Sequence, residues 1–405
     1  MKIAFVLTQS LDSPSGLGRY GPLARELVKL GYEVEVIALH YAWDRLPKKS
    51  FVHQGVQIHY VGQMHVQKEG SYKTYFGPGK LLRIALTATI SLAKAVAQSD
   101  ADIIHLGKPQ PFNVLAARYG RRGRPIYCDC DDYEAETNKF SNVWQKKVVR
   151  YFEDSIVHLV DRLTVNTHFL QKRYQSLGFP TEKIQVIPNG VERDRFAHAH
   201  AVATTNLHTK WNLDPAAPII LYVGTMGLLS HPVDLLLQAF VTIQATIPEA
   251  QLLLVGGGED YDKLQQMSHK LNIAGNTTFT GRVAPEKIPA YLSLATLSVD
   301  PVHDDLIAQA RSPLKIVESL AVGIPVVTGD VGDRKQMLQN GVLGLAVPPG
   351  DATLLAEGVL TLLQQPAMRK KMATAALHQR EQWFWDRLVL DFVNVYEMNK
   401  IDEYA

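Results

Sequence analysis

The stretch ARSPLKIVESLAVGIPVV, residues 310–327, joins a helix start signal to charged side chains and an apolar run. Ser312 is a favoured N-cap residue and Pro313 a favoured first helical residue, so a helix is predicted to begin there. Backbone N–H groups at a helix N-terminus attract phosphate, and Arg311 and Lys315 would add positive charge nearby. The pattern predicts a diphosphate site.

Glu318 adds a second kind of chemistry to this helix. Arg311, Lys315 and Glu318 are spaced four and then three residues apart, so they project from nearly the same helical face, with Glu318 one turn deeper. A carboxylate there could accept hydrogen bonds from two adjacent ribose hydroxyls. The implied ligand is a nucleoside diphosphate conjugate, and the alternative is a set of ordinary surface ion pairs.

The elements that must position these residues follow from length and composition. A chain of 405 residues exceeds the usual size of one hydrophobic core, which predicts two domains. The formal net charge of +2 is too small to indicate a nucleic-acid partner. Any charge used in binding must therefore be local.

The cysteines and apolar segments indicate a cytoplasmic protein. Cys128 and Cys130 lie two positions apart on one predicted strand, where a disulfide would be strained, so reduced thiols without a metal are expected. The opening MKIAFVLTQS is expected to be a first strand rather than a signal peptide. The stretch from Leu81 to Ala97 is expected to fall short of a membrane span.

Short apolar strands alternate with helical patterns along the whole chain. This alternation predicts an α/β fold of two Rossmann-like, doubly wound parallel-sheet domains facing across a cleft. The predicted strands lie at 3–7, 34–39, 102–106, 125–129, 162–166 and 184–187 in the first half, and at 218–224, 252–257, 277–281, 297–301 and 325–329 in the second.

The predicted domains are 1–200, 201–380 and a C-terminal helix at 381–405. The polar, alanine-rich segment 193–217 is taken as the linker, and its His198 and His200 are expected to be solvated rather than metal-binding. Aromatic residues from Trp383 to Tyr396 predict a helix that docks on its own domain or crosses back to brace the first one.

The segment SPLKIVESLAVGIPVV resembles the donor-site signature of GT-B glycosyltransferases of the large, retaining family 4 type, which includes bacterial mannosyl- and glucosyltransferases. Other segments agree in order and spacing. They are MKIAFVL with SGLGRYGPLARELVKLGYEVEVIAL, KIQVIPNGVERDRF, ILYVGTM, LLLVGGGE and FTGRV. The resemblance spans nearly the whole chain.

The resemblance implies a donor in the second domain and an acceptor in the first. Glu318 would hold the ribose, and Lys315 would hold phosphate with the N–H groups that follow Ser312, beginning at Leu314. Arg282 or Val283 would lie beside the nucleobase.

Two glycines in the first domain would complete the donor site. Gly16 and Gly18 would let the first-domain loop approach the diphosphate. The alternative for this loop is a plain strand-to-helix turn.

Three positions depart from the family pattern. Family members commonly carry an acidic residue eight positions before Glu318, where it touches the transferred sugar, and this chain has Ala310. They also carry an arginine and a lysine where this chain has Thr225 and His231. Arg311 is predicted to replace that cationic pair, acting with Lys315 as a catalytic residue.

The first domain offers further candidates. His105 ends the predicted strand DIIH and is either a catalytic residue or a core histidine. In the family a histidine near the sugar follows this strand, and here Gly107 and Lys108 stand in its place, which makes Lys108 a candidate for acceptor binding. His168 either points into the cleft to bind the acceptor or begins the next helix.

The run DCDDYEAE, residues 129–136, resembles the metal motif of the other glycosyltransferase fold. GT-B enzymes generally need no metal, because helix dipoles and basic side chains offset the diphosphate charge. Neither a metal nor another cofactor is therefore expected. Asp131, Asp132 or Glu134 could bind acceptor hydroxyls or cap the following helix.

Basic and apolar residues in the first domain suggest a membrane-facing edge. Residues 70–98 contain Lys73, Lys80, Arg83 and Lys94 and no acidic residue, and arginines cluster at 118–124. Peripheral contact with the inner face of a membrane is one interpretation. A helix packed on the first domain with solvated lysines is the other.

The resulting prediction is a retaining transferase that moves a hexosyl group from a nucleotide sugar to a hydroxyl acceptor, which could be a glycan, a lipid or a small molecule. One rival is a nucleotide-sugar epimerase on the same architecture. A second rival is a non-catalytic nucleotide-sugar-binding subunit, for which Ala310, Thr225 and His231 argue.

Overall fold

The computed structural model describes residues 1–69, 72–138, 140, 142–197 and 205–402. The chain forms two compact units. The first unit comprises Met1–Asn189 with Trp385–Ala405, and the second comprises Gly190–Phe384. Each is an α/β unit built on one main sheet.

The first unit is built on an eight-stranded sheet with the order β10-β9-β8-β7-β1-β2-β4-β3. All neighbouring strands are parallel except β3 and β4. The strands are β1 Lys2–Leu7, β2 Glu33–His40, β3 Ser50–His53, β4 Val56–Gln63, β7 Ile103–Gly107, β8 Ile126–Cys130, β9 Arg162–Val165 and β10 Ile184–Val186, and a separate antiparallel pair is formed by β5 Val66–Glu69 and β6 Tyr72–Tyr75.

Helices cover the two faces of this sheet. The helices are α1 Gly21–Lys29, α2 Pro78–Gln98, α3 Pro111–Gly120, α4 Glu134–Thr137, α5 Val143–Ser155, α6 His168–Ser176 and α17 Trp385–Asp402. Connections through α2, α3 and α5 all advance along the sheet towards β10, whereas the connection through α1 advances the other way. Right-handed crossovers therefore put α2, α3 and α5 on one face and α1 on the other. The segment Gly79–Gln98 of α2 is long and apolar enough to cross a membrane, contrary to the expectation from its sequence.

The second unit is built on a six-stranded parallel sheet with the order β13-β12-β11-β14-β15-β16. The strands are β11 Ile219–Val223, β12 Gln251–Val255, β13 Thr277–Phe279, β14 Leu297–Asp300, β15 Val326–Gly329 and β16 Gly344–Val347. The chain winds outwards from β11 in one direction and from β14 in the other, so the topological switch point lies between these two strands. Ligands of open α/β sheets bind at such points.

The helices of the second unit lie on both faces of its sheet, with separate apolar clusters that include Leu221 and Leu253 on one face and Ile220 and Leu252 on the other. The helices are α7 Arg193–Phe196, α8 Thr205–Trp211, α9 Val233–Thr246, α10 Tyr261–Lys270, α11 Ile288–Leu292, α12 Leu306–Gln309, α13 Leu314–Ala321, α14 Arg334–Met337, α15 Ala352–Gln364 and α16 Pro366–Gln379. Adjacent residues of β11 and β12 thus face opposite layers, as the two-residue period of a strand requires.

The two Rossmann-like parallel-sheet units confirm the predicted fold class, and a strand lies at each of the eleven predicted positions. The sequence prediction missed β3 to β6 and β16. In β3, β5 and β6, polar residues interrupt the apolar pattern, as in SFVH and YKTY. The antiparallel β3 edge and the β5–β6 hairpin were therefore not expected.

The chain passes between the units earlier than the linker predicted at 193–217. The division falls between Asn189 and Gly190. Phe196 and Leu213, inside the predicted linker, are instead buried in the core of the second unit. Apolar residues scattered in a polar, alanine-rich segment gave no periodic signal of this packing. His198 and His200 lie outside the described residues.

The aromatic C-terminal segment is divided between the two units. Trp383 and Phe384 pack in the core of the second unit, whereas α17 begins at Trp385 and packs in the core of the first. Phe392 and Tyr396 of α17 are buried there. Of the two alternatives for the C-terminal helix, the structure has the helix packed in the first unit, where it begins at residue 385.

Replacement of Phe392 by alanine should destabilise the first unit by about 3–5 kcal/mol, because it leaves a cavity in the core that α17 closes. Leu390, on the same helix, is partly exposed, so Leu390→Ala is the matched control with an expected change within about 0.5 kcal/mol. Urea unfolding followed by circular dichroism measures both variants. Equal losses for the two would contradict this placement of α17.

Candidate functional site

The residues of the predicted donor site meet at the switch point of the second sheet. β11 ends at Val223 and β14 at Asp300, and the helix that carries the charged residues, α13, follows β14. Parallel strands end at the same edge, so the loops after β11 and β14 are neighbours there. The Lys315 ammonium lies 4.6 Å from the Tyr222 ring centroid, which joins α13 to the end of β11.

Asp300 organises this edge and was not found by sequence reasoning. Its carboxylate contacts Lys315 Nζ at 3.1 Å with one oxygen and Arg334 Nε at 2.9 Å with the other. Burial would raise the pKa of Asp300, but Lys315 and Arg334 hold it well below its usual value. Asp300 is thus ionised at neutral pH, and its two cations exceed it by one positive charge.

The start of α13 differs by one residue from the prediction. Pro313, not Ser312, is the N-cap residue, and the helix begins at Leu314. The proline fits because its φ of −72° and ψ of 109° are extended. Ser312, directly before the cap, is buried. The first helical amides therefore belong to Leu314 and Lys315.

Glycine 224 lets Lys315 pass beside β11. Its φ is +154°, and a Cβ at this position would lie 3.2 Å from Lys315 Cε. The same loop packs closely on the loop after β12, because a Cβ at Gly258 would lie 2.3 Å from the Met226 carbonyl oxygen. The VG and VGGG segments of the sequence thus hold two strand-end loops against each other.

Arg311 and His231 meet at the loop after β11. Arg311 Nη1 donates to the Ser230 carbonyl oxygen at 3.1 Å, which brings its guanidinium to the residue next to His231. Burial, together with the charges of Lys315 and Arg311, lowers the pKa of His231 well below its usual value. The imidazole is therefore neutral at pH 7, and the positive charge here comes from Arg311 and Lys315.

Thr225 and Ala310 stand at two positions where family members commonly carry charged residues. Thr225 is exposed on the same loop, and its carbonyl oxygen accepts from the Tyr222 hydroxyl at 2.7 Å. Ala310 is fully buried and contributes no acid to the site.

Glu318 lies one turn into α13 as a buried carboxylate. Burial raises its pKa to about 7, against the opposing effect of the positive charges on Arg195 and Lys315. Among the described residues no cation lies within ion-pair distance of it. A desolvated carboxylate of this kind is suited to accept hydroxyl hydrogen bonds.

Arg195 is a second residue that sequence reasoning did not single out. It lies in the VERDRF segment, donates from Nη2 to the Pro285 carbonyl oxygen at 2.6 Å, and influences the charge of Glu318. It joins α7 to the loop that follows Val283. Val283 itself packs against the core, and Arg282 is exposed beside Gly257.

The first unit has a second cluster at the carboxyl ends of its strands. Lys108 Nζ lies 3.0 Å from Asp131, 2.9 Å from Asp132 and 2.8 Å from Glu134. Burial would lower the pKa of Lys108, but the three carboxylates raise it well above its usual value. The ammonium thus occupies the space between the three acids, where a metal ion would otherwise fit.

Neighbouring side chains complete this acidic cluster. Burial raises the pKa of Asp131 to about 7. Lys108 lowers this pKa and Asp132 raises it, but the lowering by Lys108 is smaller than the effect of burial. Gln110 Nε2 donates to Glu134 at 2.6 Å, and Glu153 accepts from the amides of Glu134 and Ala135 at 2.9 and 3.1 Å. Glu153 therefore binds the start of α4, which is the capping role that the sequence analysis gave as one of two alternatives for the acids of the DCDDYEAE run.

Gly16 and Gly18 lie in a π-helical turn, Gly16–Tyr20, that leads into α1. A Cβ at Gly16 would lie 2.5 Å from the Leu11 backbone, so the chain's own close approach already requires glycine there. The Gly18 carbonyl oxygen accepts from Trp385 Nε1 at 3.2 Å. The contact of this turn with a donor stays a prediction.

The same turn carries a buried ion pair. Arg19 Nε lies 2.5 Å from Asp129 at the end of β8, and Arg19 also donates to the Ile187 and Pro188 carbonyl oxygens. Burial lowers the pKa of Arg19, but Asp129 outweighs this and raises it. The pair fixes the glycine turn against the strand that precedes the acidic cluster.

The two histidine candidates of the first unit have different outcomes. His105 is fully buried, and its Nδ1 lies 2.7 Å from the Tyr396 hydroxyl of α17. Burial lowers its pKa to about 4, so the ring is neutral. The catalytic prediction for His105 is therefore wrong, because the ring belongs to the core. His168 is half-buried and begins α6, where Thr167 is the N-cap residue.

Two family models match the chain. The model described as "Glycosyl transferases group 1" matches residues 203–379, and "Glycosyltransferase Family 4" matches residues 22–195. One match lies mostly in the first unit and includes the Lys108 cluster, and the other lies in the second unit and includes Asp300 and Lys315.

Similar curated proteins are mannosyltransferases. The GDP-mannose-dependent alpha-(1-6)-phosphatidylinositol monomannoside mannosyltransferase of Mycobacterium tuberculosis is 25% identical over 329 residues, 79% of this chain and 82% of its own. The phosphatidyl-myo-inositol mannosyltransferase of Mycolicibacterium smegmatis is 24% identical over 402 residues, covering 98% of this chain and 94% of its own.

Solved structures of glycosyltransferases share the fold. Sucrose-phosphate synthase from Thermosynechococcus elongatus has a TM-score of 0.77 at 19% identity and covers 99% of this chain and 100% of its own. Anabaena Alr3699/HepE in complex with UDP-glucose has a TM-score of 0.72 at 19% identity, with 99% of each chain covered. The chain is a GT-B enzyme and belongs to the glycosyltransferases of the family 4 type.

Proposed function

We propose that the protein transfers a hexosyl group, with retention, from a nucleoside-diphosphate sugar to an acceptor hydroxyl. One observation carries the proposal. Lys315, held by Asp300 at 3.1 Å, lies at the start of α13 at the switch point of the second sheet, with the buried Glu318 one turn deeper. A cation beside a helix N-terminus suits a diphosphate, and the deeper carboxylate suits a ribose.

The leaving diphosphate would be stabilised by fixed charge. Negative charge grows on it as the glycosidic bond breaks, and a preorganised cation that needs no reorientation lowers that barrier most. The negative charge of Asp300 offsets one of the two positive charges on Lys315 and Arg334, so a net charge of one positive unit remains there. Arg311 adds a further positive charge. These positive charges would stabilise the diphosphate in the way that a bound metal ion does in other enzymes. We therefore propose that the enzyme needs neither a metal nor another cofactor.

Retention is proposed without a covalent intermediate. The position eight residues before Glu318, where the family's acid touches the sugar, is the buried Ala310. Both oxygens of Asp300 are engaged by cations. Ala310 therefore offers no nucleophile, and the Asp300 carboxylate is not available as one. Retention is then explained best by attack of the acceptor hydroxyl on the same face as the departing diphosphate.

The acceptor is proposed to bind at the first-unit cluster. Asp131 and Asp132 could accept hydrogen bonds from acceptor hydroxyls, and Lys108 holds both carboxylates in place. His168, at the same carboxyl edge, remains a candidate for acceptor contact. Glu134 is already engaged by Lys108, Gln110 and Asn138, so its role is to position Lys108.

The relatives narrow the substrates to be tested. Two of them are named as mannosyltransferases that act on phosphatidylinositol lipids. The name of one of the two also gives GDP-mannose as its donor. We therefore propose GDP-mannose as the first donor to test and a lipid-linked hydroxyl as the first acceptor. Action at the inner face of a membrane, in the cytoplasm, agrees with the free, buried Cys128 and Cys130.

The proposal is tested by product analysis with GDP-mannose and UDP-glucose. Transfer to an added acceptor, with the anomeric configuration of the donor kept in the product by NMR, is the expected result. Conversion of the donor sugar without acceptor would instead identify an epimerase. Donor binding in a thermal-shift screen without turnover on any acceptor would identify a non-catalytic binding subunit.

Arg311→Ala should weaken donor binding about 10- to 100-fold, because it removes a charge-assisted contact to the diphosphate. Calorimetric titration with the nucleoside diphosphate measures the loss. Lys335, an exposed residue of the same unit paired with Asp330, supplies the control Lys335→Ala, which should bind normally. Unchanged affinity in the Arg311 variant refutes its assigned role.

Donor affinity should rise with pH through about 7, since the Glu318 carboxylate must be ionised to accept ribose hydroxyls best and burial raises its pKa to about 7. Glu318→Gln should bind the nucleoside diphosphate more weakly and lose this pH dependence, whereas exposed Glu357→Gln should retain it. Titrations at several pH values provide the measurement. A dependence that persists in Glu318→Gln would assign it to another group.

The same group predicts a change in stability without ligand. The folded pKa of Glu318 exceeds the ordinary value of 4.5, so the folded protein keeps a proton that the unfolded chain has released. The free energy of unfolding should therefore fall as pH rises from about 4.5 to about 7. Glu318→Gln should remove that part of the decrease.

A further inference from the structure

Asp131 is the acid of the first-unit cluster that Lys108 neutralises least. Lys108 Nζ donates hydrogen bonds to Asp132 at 2.9 Å and to Glu134 at 2.8 Å. Its contact with Asp131 Oδ1, at 3.0 Å, is an ion pair without hydrogen-bond geometry. Burial raises the pKa of Asp131 to about 7 in spite of Lys108. Asp131 therefore lacks a partner that would hold it fully ionised.

Two buried side chains beside Asp131 also have polar atoms without a partner. In the part of the chain that the structure describes, neither the Tyr20 hydroxyl nor Asn166 Oδ1 has a hydrogen-bond partner, although the two residues are only 0% and 2% exposed. Buried polar atoms in native proteins are nearly always hydrogen-bonded to protein or to water. Unpaired atoms at one edge of a sheet therefore indicate a place where a ligand binds.

The strand register places Asn166 next to Asp131. Cys130 of β8 pairs with Val165 of β9, so the two residues that follow them lie side by side. Asn166 Nδ2 donates to the main-chain oxygen of Asp131 at 2.6 Å. Because a carbonyl oxygen can only accept, this bond fixes the orientation of the amide, and Oδ1 is the acceptor that is left over.

Tyr20 reaches the same edge from the glycine turn. A Cβ at Gly107 would lie 2.8 Å from Tyr20 Cζ, so the carbon that bears the hydroxyl lies against the last residue of β7, directly before Lys108. Burial raises the pKa of Tyr20 well above its usual value, and the charge of Asp131 raises it further. The hydroxyl thus lies within the electrostatic field of Asp131.

The chemistry of these atoms selects a cation with several hydrogen-bond donors. An ionised Asp131 and Asn166 Oδ1 can only accept, and the Tyr20 hydroxyl can accept as well as donate. A primary ammonium group offers three N–H donors and one positive charge, whereas a ligand hydroxyl offers one donor and no charge. A metal ion would have to displace the Lys108 ammonium from among the three carboxylates.

We propose that the acceptor carries a protonated primary amino group, which binds between Asp131, Asn166 and Tyr20 at the carboxyl edge of the first unit's sheet. This inference deepens the proposed function and rests on it. The acceptor class is an amino sugar or an aminocyclitol, in which an ammonium and a hydroxyl stand on neighbouring carbons. Asp132, whose side chain is 20% exposed, is then left to accept from the hydroxyl that receives the hexosyl group.

A comparison of acceptors tests the ammonium directly. Methyl α-glucosaminide and methyl α-glucoside differ only in an amino group that replaces one hydroxyl. The kcat/KM should be at least about tenfold higher for the glucosaminide, because its ammonium makes charge-assisted hydrogen bonds. Methyl N-acetyl-α-glucosaminide, which has no positive charge, should lose that advantage.

The same ammonium could belong to a soluble sugar or to a sugar carried by a lipid. Long-chain forms of the glucosaminide and the glucoside in phosphatidylcholine vesicles separate these two sources. A preference for the amine only in vesicles assigns it to a lipid, and a preference only in solution assigns it to a soluble sugar. Either result supports the ammonium site.

Variants of the site tie the preference to these residues. Asp131→Asn should bring the ratio of the two kcat/KM values close to one, whereas Asp44→Asn, exposed elsewhere on the first unit, should leave the ratio unchanged. Tyr20→Phe deletes only the unpaired hydroxyl, so its Tm should stay the same or rise. Its preference for the glucosaminide should nevertheless fall by about three- to tenfold. A purely structural role would instead lower the Tm and weaken both acceptors equally.

Calorimetric titration separates this inference from the proposed function. Binding of methyl α-glucosaminide but not of methyl α-glucoside, in the presence of the nucleoside diphosphate, supports the ammonium site even without turnover, and the proposed transfer alone would then fail. Equal kcat/KM for the two glycosides, a preference that Asp131→Asn retains, or Mg²⁺ or Ca²⁺ binding that excludes the glucosaminide would overturn the inference. Those three results would leave the proposed transfer intact.

Discussion

The buried carboxylate of Asp300 sets the geometry of the second unit's site. A charge removed from water is costly unless it is paired, and Asp300 is met by Lys315 on one oxygen and Arg334 on the other. Those pairs fix Lys315 beside Tyr222 at the switch point of the sheet. The cation is thus in place before any ligand arrives, as electrostatic stabilisation of a leaving group requires.

The first unit also pairs buried carboxylates with cations at the ends of its strands. Asp129 at the end of β8 is paired with Arg19, which ties the glycine turn to the strand. Two residues later, Asp131 shares Lys108 with Asp132 and Glu134. In each unit a parallel sheet delivers carboxylates to one edge, and the cations that neutralise them become the polar framework of the site. What each site can bind then depends on the charges that these ion pairs do not neutralise.

Some of this framework could be predicted from the sequence. Ser-Pro followed by Lys315 and Glu318 indicated a helix start with a phosphate-binding and a ribose-binding residue, because these signals act within a few residues. The helix start was misplaced by one residue, since Pro313 took the cap position. The sequence left a catalytic and a core role open for His105, because a histidine that ends an apolar strand gives no local sign that α17 covers it.

The sequence by itself determined the alternation of strands and helices, the two-unit organisation and the residues of the α13 start, since periodicity and capping are short-range properties. Only the tertiary structure decided that Asp300 and Arg334 belong with Lys315, that Lys108 sits among three acids, and that Phe196 and Leu213 are core residues. These choices join residues far apart in the chain. They are made by desolvation and packing, which depend on what surrounds a side chain rather than on its neighbours in sequence.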